Sequence, residues 1–216
     1  MSQTPGTRRS YNQLAGTSLD RLAGISDGIF SVGMTLLVLN LVVPAAGAGT
    51  TDSELWSALA GLGPNILVYT MSFITLGIFW VGQGTQMGQL ARSDRHYAWL
   101  HLTFLFGVTL LPFSTALLAR FPGLRLALVE YWLNIVLLGG MLLAAIEYAR
   151  RANLFMDPEP RQVVRLIRGL ILIAQALYAG ATALSVVFST WVSIVLIVLI
   201  QLNYVIAPRI PLLRRF

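Results

Sequence analysis

Cysteine and lysine are both absent from this 216-residue chain. Without cysteine there is no disulfide framework, no thiolate nucleophile and no thiolate-bound metal. All fifteen basic residues are arginine. Charge of either sign is scarce, at 11% of residues, where a soluble domain carries roughly a quarter. That shortage removes the solvated face a water-soluble fold needs, and excludes a soluble enzyme and a disordered tail alike. The formal net charge of +6 does not point to nucleic acid, because no basic helix or aromatic–basic platform stands apart from the apolar runs. What fills the chain is hydrophobic, 56% of it, with a mean hydropathy of +0.72. This is the composition of a membrane protein.

A hydrocarbon core of about 30 Å needs a helix of about 20 mostly apolar residues. Six stretches qualify, and they predict an all-α, polytopic membrane fold. The first runs from Gly24 to Val43 and stops at Pro44. The second lies within Leu55–Met87, opened by a capping box at Thr51-Asp52-Ser53-Glu54 and broken at Gly61-Leu62-Gly63-Pro64. The third is Tyr97–Leu118, with Pro112 inside it, and the fourth is Leu126–Ala149. Asp157, as N-cap to Pro158, opens a fifth helix embedded from Leu166 to Phe188. The sixth is Trp191–Ala207. Residues 1–20 and 209–216 then form terminal segments around a membrane domain at 21–208.

Arginine position sets the sidedness. With a cytoplasmic N-terminus, Arg8, Arg9, Arg21, Arg92, Arg95, Arg150, Arg151, Arg161, Arg165, Arg168, Arg209, Arg214 and Arg215 all fall inside. Only Arg120 and Arg125 fall outside. So one-sided a distribution follows the positive-inside rule and supports six spans with both termini cytoplasmic, in an inner or plasma membrane. The stretch before Gly24 lacks the features of a cleavable signal, so the first span is expected to insert as an anchor. No internal repeat divides the six spans into two halves. An aqueous path is more naturally built on a symmetry axis between copies than inside one such chain.

Ionisable groups at membrane depth each require a reason. Asp27 lies one turn into the first span and His101 one turn into the third. Glu147 lies near the end of the fourth, where pairing with Arg150 or Arg151 explains it. Glu130 begins the fourth span as a favourable charge at a helix N-terminus. His96 and His101 are five apart and share no helix face. No HExxH motif or other metal-ligand spacing is present, so neither catalysis nor a bound cofactor is expected. The span centres hold no carboxylate or histidine; they hold small and hydroxylated residues among large aliphatics. A TVGYG filter is absent, so ion selectivity would need another physical basis.

In the first span Gly28, Val32, Thr35 and Leu39 follow at +4, +3 and +4 and form one stripe. Taken alone, that composition is ordinary helix-packing material. Below the stripe, Arg21 to Asp27 form a dense polar cluster at the membrane boundary. Ser26 and Asp27 read either as a cap for a helix starting late or as buried hydrogen-bonding groups. The run Gly-Ile-Phe-Ser after Asp27 favours a buried, hydrogen-bonded aspartate.

Arg21-x-x-x-Ile25-Ser26-Asp27-Gly28, continuing into Thr35-Leu36-Leu37-Val38-Leu39, resembles the Arg-x-x-x-Phe-Ser-Asp signature of the transmembrane protein 175 family of potassium channels. Gly77-Ile78-Phe79-Trp80-Val81 resembles that family's second-helix segment. Leu110-Leu111-Pro112-Phe113-Ser114-Thr115-Ala116-Leu117-Leu118 is similar to its third-helix segment. The resemblance implies six helices per subunit and a homotetramer in the lipid bilayer, with the first helix lining a central pore for monovalent cations, potassium foremost. It places the hydrophobic constriction on Val32, a selectivity contribution on Thr35 and further pore lining on Gly28 and Leu39. The signature Phe is Ile25 here, and Val32 stands where many members have Ile or Leu, which implies a wider neck. After Trp80 the family's Asn-His-His is replaced by Gly82-Gln83-Gly84. The expected network therefore joins Ser26 and Asp27 to Trp80, Gln83 and His101, with Arg21 at its edge. Two alternatives stand beside the channel: a proton-coupled secondary transporter using Asp27 and His101, and a non-conducting membrane scaffold.

Overall fold

The computed structural model describes residues 18–44, 51–158 and 160–206. Arg8, Arg9, Arg209, Arg214 and Arg215 lie outside the described residues, as do residues 1–17, the expected span end Ala207 and the whole of 209–216.

Helix α1 spans Leu19–Leu37. It opens five residues before the expected Gly24, because the Ser18 side chain accepts from the Arg21 amide at 3.3 Å and Asp20 puts an acid in the first turn. Ser26 and Asp27 therefore lie two turns inside a helix already under way, and neither is a cap. At its far end α1 tightens into a 3-10 turn, Val38–Asn40. It stops short of the expected Val43: the Leu41 amide closes the turn on the Val38 carbonyl at 2.9 Å, and Leu41 itself leaves helical geometry (φ −91°, ψ 88°).

Thr51 and Glu54 form the expected capping box, with amide-to-side-chain distances of 3.1 and 3.3 Å, and open the short helix α2, Asp52–Gly61. The chain turns at Leu62 and resumes as α3, Gly63–Met87. Pro64 falls in the first turn of α3, where its missing N–H belongs to the set without an intrahelical partner. Asp94 caps α4, Arg95–Arg120, accepting from the Tyr97 amide at 2.9 Å. Pro112 sits within α4 and the helix continues through it. Helix α5, Arg125–Arg151, ends in a left-handed Asn153 (φ 53°), which lets the Leu154 amide reach the Ala149 carbonyl at 3.0 Å. Helix α6 spans Arg161–Ala183 and ends in a 3-10 turn, Leu184–Val186. It starts after Pro160 with no side-chain cap, not at the expected Asp157–Pro158. Each proline disfavours helix in the residue before it, so the pair pushes the start past the second. Helix α7 is Thr190–Val205.

The fold is all-helical and multi-pass. Among the described residues, α1 with its 3-10 extension, α3, α4, α5 and α6 with its extension are long and apolar enough to cross a membrane. The expected sixth span, α7, is apolar but has only 16 residues.

Helices α4 and α5 pack as a tight antiparallel hairpin. At Gly107 a Cβ would stand 3.0 Å from the Leu138 side chain, so the missing side chain lets the two helices approach with the leucines undisturbed. Helix α1 lays Leu22, Ser26, Phe30, Gly33 and Leu37 against α3 and α4. At one end of the bundle the connections after α3 and after α5 pair with each other. Ala91 N–H donates to Leu154 O at 2.9 Å, and Met156 N–H to Gln89 O at 3.0 Å. Leu22 of α1 joins Met87, Leu90 and Leu154 in the same apolar cluster. At the other end, Thr190 Oγ1 donates to Pro122 O at 2.7 Å and Arg125 to Val186 O at 3.2 Å. The described arginines are thus segregated by end, with Arg120 and Arg125 opposite the rest.

Candidate functional site

Helix α1 has two faces. The buried face holds the core contacts just described. The opposite face carries Gly28, Val32 and Thr35 in one line, with Leu39 beyond them in the 3-10 turn, and all four are exposed on the single chain. Val32 is 56% exposed and Leu39 71%. A Cβ at Gly28 would meet nothing within 4 Å, so none of the described residues packs there. The Thr35 hydroxyl donates to the Val32 carbonyl at 2.8 Å. Its single proton is held along its own helix, and its oxygen lone pairs are left for an outside partner.

Below the stripe the polar cluster divides. Ser26 is buried, gives its hydroxyl proton to Leu22 O at 2.8 Å, and lies 2.6 Å from His101 Nε2 on α4. In that contact the tautomer of His101 decides which of the two atoms donates. The ring of His101 stacks on Tyr97 at a centroid distance of 6.3 Å. Asp27 turns the other way and accepts from the Trp80 indole Nε1–H at 2.8 Å. Asp27 is hydrogen-bonded as expected but exposed on the single chain, not buried, because it stands on the rim of an open cleft. That cleft, ≈ 600 Å³, lies between α1 and α3 and is lined by Asp20, Asp27, Trp80, Gln83 and Thr85 among others.

Gln83 does not join the network. Its amide donates to the sulfur of Met87 one turn along its own helix, so the expected link from Gln83 to Ser26 and Asp27 is corrected. Arg21 and Ile25 are exposed on the face away from the core. Glu147 is bracketed by Arg150 at 2.5 Å and Arg151 at 3.1 Å, as expected of an interfacial carboxylate. Glu130 departs from its expected role. It lies in the second turn of α5 rather than at its start, and it accepts from Ser114 Oγ at 2.9 Å.

The hydroxylated residues of the span centres turn out to be connected. Thr115 donates to Ser72 at 2.8 Å, and Tyr131 lies 3.3 Å from Ser72 and 3.0 Å from Thr75. Gln201 of α7 then donates to Thr75 at 2.7 Å and to the Tyr178 hydroxyl at 3.0 Å. Five helices meet in this chain of bonds. The one signal in the sequence was the placement of Ser72 and Thr75 three residues apart, on one side of α3.

The family described as "Endosomal/lysosomal potassium channel TMEM175" matches residues 21–112, from the signature arginine through α3 to Pro112. A potassium channel of Chamaesiphon minutus is 32% identical over 180 residues, covering 81% of this chain and 87% of that relative. The chain belongs to the TMEM175 family. A potassium channel of Streptomyces collinus is 38% identical over 101 residues, 47% of this chain, and the match spans about half of that relative, 48%. The mouse endosomal/lysosomal proton channel TMEM175 is 23% identical over 149 residues, and the match covers 29% of it. The fold agrees with the crystal structure of a lysosomal potassium-selective channel TMEM175 homolog from Chamaesiphon minutus, at TM-score 0.75 and 27% identity. That match covers 87% of this chain and 96% of the other. These TMEM175 relatives are all named as channels, and none as an enzyme. The residues matched to the TMEM175 family contain the whole of α1 from Arg21 onward and every side chain of the Ser26–His101 and Asp27–Trp80 pairs.

Proposed function

We propose that the chain is one subunit of a homotetrameric, potassium-permeable channel whose pore is lined by α1. The observation that carries this reading is the exposed line Gly28–Val32–Thr35, with Leu39 beyond it in the 3-10 turn, on a helix whose other face is packed into its own subunit. A membrane helix leaves such a line open to lipid, to a partner or to water. Four copies about an axis would bring the Val32 side chains into a ring. A narrow apolar ring empties of water and strips a passing ion of solvent, which makes it a gate. The Thr35 oxygens, one turn further on, would return part of the lost hydration and favour potassium over sodium.

The same reading takes α7 as the sixth span. At about 24 Å it is short for the hydrocarbon core, and Trp191 and Tyr204 near its ends are interfacial anchors that let the bilayer thin around it. Both termini would then be cytoplasmic, with residues 21–208 as the membrane domain and 209–216 as a tail. The transporter alternative has less support, because Asp27 and His101 are committed to separate partners, Trp80 and Ser26, and share no site.

Reconstituted vesicles and planar bilayers test the proposal. Bi-ionic reversal potentials are expected to rank potassium above sodium, and Val32→Ala is expected to raise basal flux. A proton gradient belongs in the same recordings, since the mouse relative is named a proton channel. Permeation unchanged in Val32→Ala and in Thr35→Ala would falsify the pore assignment. Saturable, proton-driven uptake without single-channel steps would revive the transporter.

A further inference from the structure

Ser114 on α4 gathers two side chains from α5. Its hydroxyl donates to Glu130 Oε1 at 2.9 Å, and Asn134 Nδ2 donates to the same Ser114 oxygen at 3.1 Å. A hydroxyl has one proton. At 2.9 Å to the carboxylate, against 3.4 Å to the Leu110 carbonyl, that proton goes to Glu130. Asn134 must therefore present its N–H to Ser114, which turns its carbonyl oxygen away. The result is a pair of orphans: Glu130 Oε2 and Asn134 Oδ1 are both buried and neither has a hydrogen-bond partner. Asn134 as a whole is only 6% exposed and Ser114 is 0% exposed. Residues 130 and 134 are one turn apart, which puts both side chains on one face of α5.

A carboxylate inside a membrane-spanning helix needs a countercharge. Among the described residues no cationic side chain pairs with Glu130. Arg125, on the same helix, directs its guanidinium to the Val186 carbonyl at 3.2 Å instead. Nor is it part of a larger acidic cluster: the described residues hold no group of three or more His, Cys, Asp or Glu side chains. One negative charge and one amide oxygen match a single positive charge. A divalent ion, which takes six or more oxygens and several carboxylates, would be left under-neutralised.

We propose that Ser114, Glu130 and Asn134 build a monovalent-cation site inside each subunit, separate from the pore axis. Glu130 Oε2 and Asn134 Oδ1 are the ligands and Ser114 is the residue that orients them, with water completing the shell from the near end of the α4–α5 hairpin. The site neutralises Glu130 and satisfies both orphaned oxygens with one ion, so it stabilises the fold in proportion to the cation present. It does not depend on α1 lining a pore.

The test is the thermal unfolding midpoint of the purified full chain in detergent, at fixed pH, in potassium, sodium or N-methyl-D-glucamine chloride of equal concentration. The small cations are expected to raise the midpoint by about 3–5 °C over the organic one. The rise should vanish in Glu130→Gln and persist in Thr35→Ala. If it persists in Glu130→Gln and vanishes in Thr35→Ala, the stabilising ions belong to the pore and the proposal is overturned. Equal midpoints in all three salts, or midpoints that follow pH and not cation, overturn it as well; the second outcome assigns a proton to Glu130. Should Glu130→Gln fail to fold, Asn134→Leu keeps the carboxylate and removes the other ligand. It is expected to need several-fold more potassium for the same shift, and an unchanged titration would sink the proposal.

Discussion

Ser26 Oγ on α1 and His101 Nε2 on α4 stand 2.6 Å apart, both side chains buried, in a contact otherwise made by Phe30, Phe104 and their aliphatic neighbours. This bond lies on the inward face of α1 with Leu22, Phe30, Gly33 and Leu37, and contributes with them to holding the rotation of the helix about its own axis. With Ser26 turned inward, the opposite face must carry Gly28, Val32 and Thr35 outward. The register of the proposed pore lining is therefore set from inside the subunit.

Ser26→Ala removes that constraint and takes the Ser26 oxygen away from a buried imidazole. The expected loss is about 1–3 kcal/mol of stability, read as a lower unfolding midpoint. His101→Phe, which removes both polar groups' need for each other only in part, should cost less when combined with Ser26→Ala than the two losses added. A double-mutant cycle with no coupling would show that the 2.6 Å contact holds nothing in place.

The Asp27–Trp80 bond lies on the rim of an open cleft, so its rupture has a different consequence. Asp27→Asn keeps a carbonyl oxygen for the indole N–H and should preserve assembly. Asp27→Ala and Trp80→Phe each remove the bond and should both weaken the oligomer, as seen by native mass measurement. Equal behaviour of the Asn and Ala variants would assign the role of Asp27 to its charge and not to Trp80.

Much of this was legible in the sequence, and the exceptions share a cause. The break at Leu62, the capping box at Thr51 and the pairing of Glu147 are local, within four residues, and local rules found them. The stripe on α1 was legible because a helix converts spacing into a face. The partner of Gln83 was not legible, since a glutamine on α3 reaches α1 or its own next turn with equal ease and only packing chooses Met87. Glu130 was misread for the same reason: Ser114 is close to it only once the α4–α5 hairpin has closed. The start of α1 was missed because Ser18 caps a first turn too polar to be read as membrane helix.

Thr35 separates two contributions to selectivity. Its hydroxyl bond to the Val32 carbonyl, at 2.8 Å, aims the oxygen outward. Thr35→Ser keeps that oxygen and should retain most of the potassium preference in bi-ionic recordings. Thr35→Val keeps the shape and removes the oxygen, and should lower the potassium-to-sodium ratio while leaving total conductance less affected. A ratio unchanged in the valine variant would remove the hydroxyl from the selectivity argument.

The α5–α6 contact depends on a missing side chain. Gln175 of α6 reaches across α5 and donates to the Ile135 carbonyl at 3.1 Å, and its amide occupies the space where a Cβ on Gly139 would stand. Gly139→Ala forces Gln175 out, with an expected loss of about 1–3 kcal/mol from overpacking and the severed bond besides. Gln175→Ala alone should be milder, and the double variant should recover part of the Gly139→Ala loss because the obstructing amide is gone. If the double variant is no better than Gly139→Ala, the contact is limited by the helix backbones themselves.

Helix α7 has few residues with which to hold its place, and Gln201 is the buried one that makes polar bonds to two other helices, through Thr75 on α3 and Tyr178 on α6. Lipid offers α7 apolar surroundings as favourable as the bundle does, so hydrophobic burial alone gives it little reason to dock. The hydrogen bonds supply the difference. Gln201→Leu preserves the volume and hydrophobicity of the site while removing both bonds, and each bond of this kind is worth about 0.6–1.7 kcal/mol. The variant should still insert, but the docked face of α7 should become accessible: a cysteine introduced at Ile197, buried against the bundle in a chain that otherwise has none, should react faster with a membrane-permeant maleimide than the same cysteine does when Gln201 is intact. Equal labelling rates would mean that shape, and not the Thr75–Gln201–Tyr178 bonds, keeps α7 against the bundle.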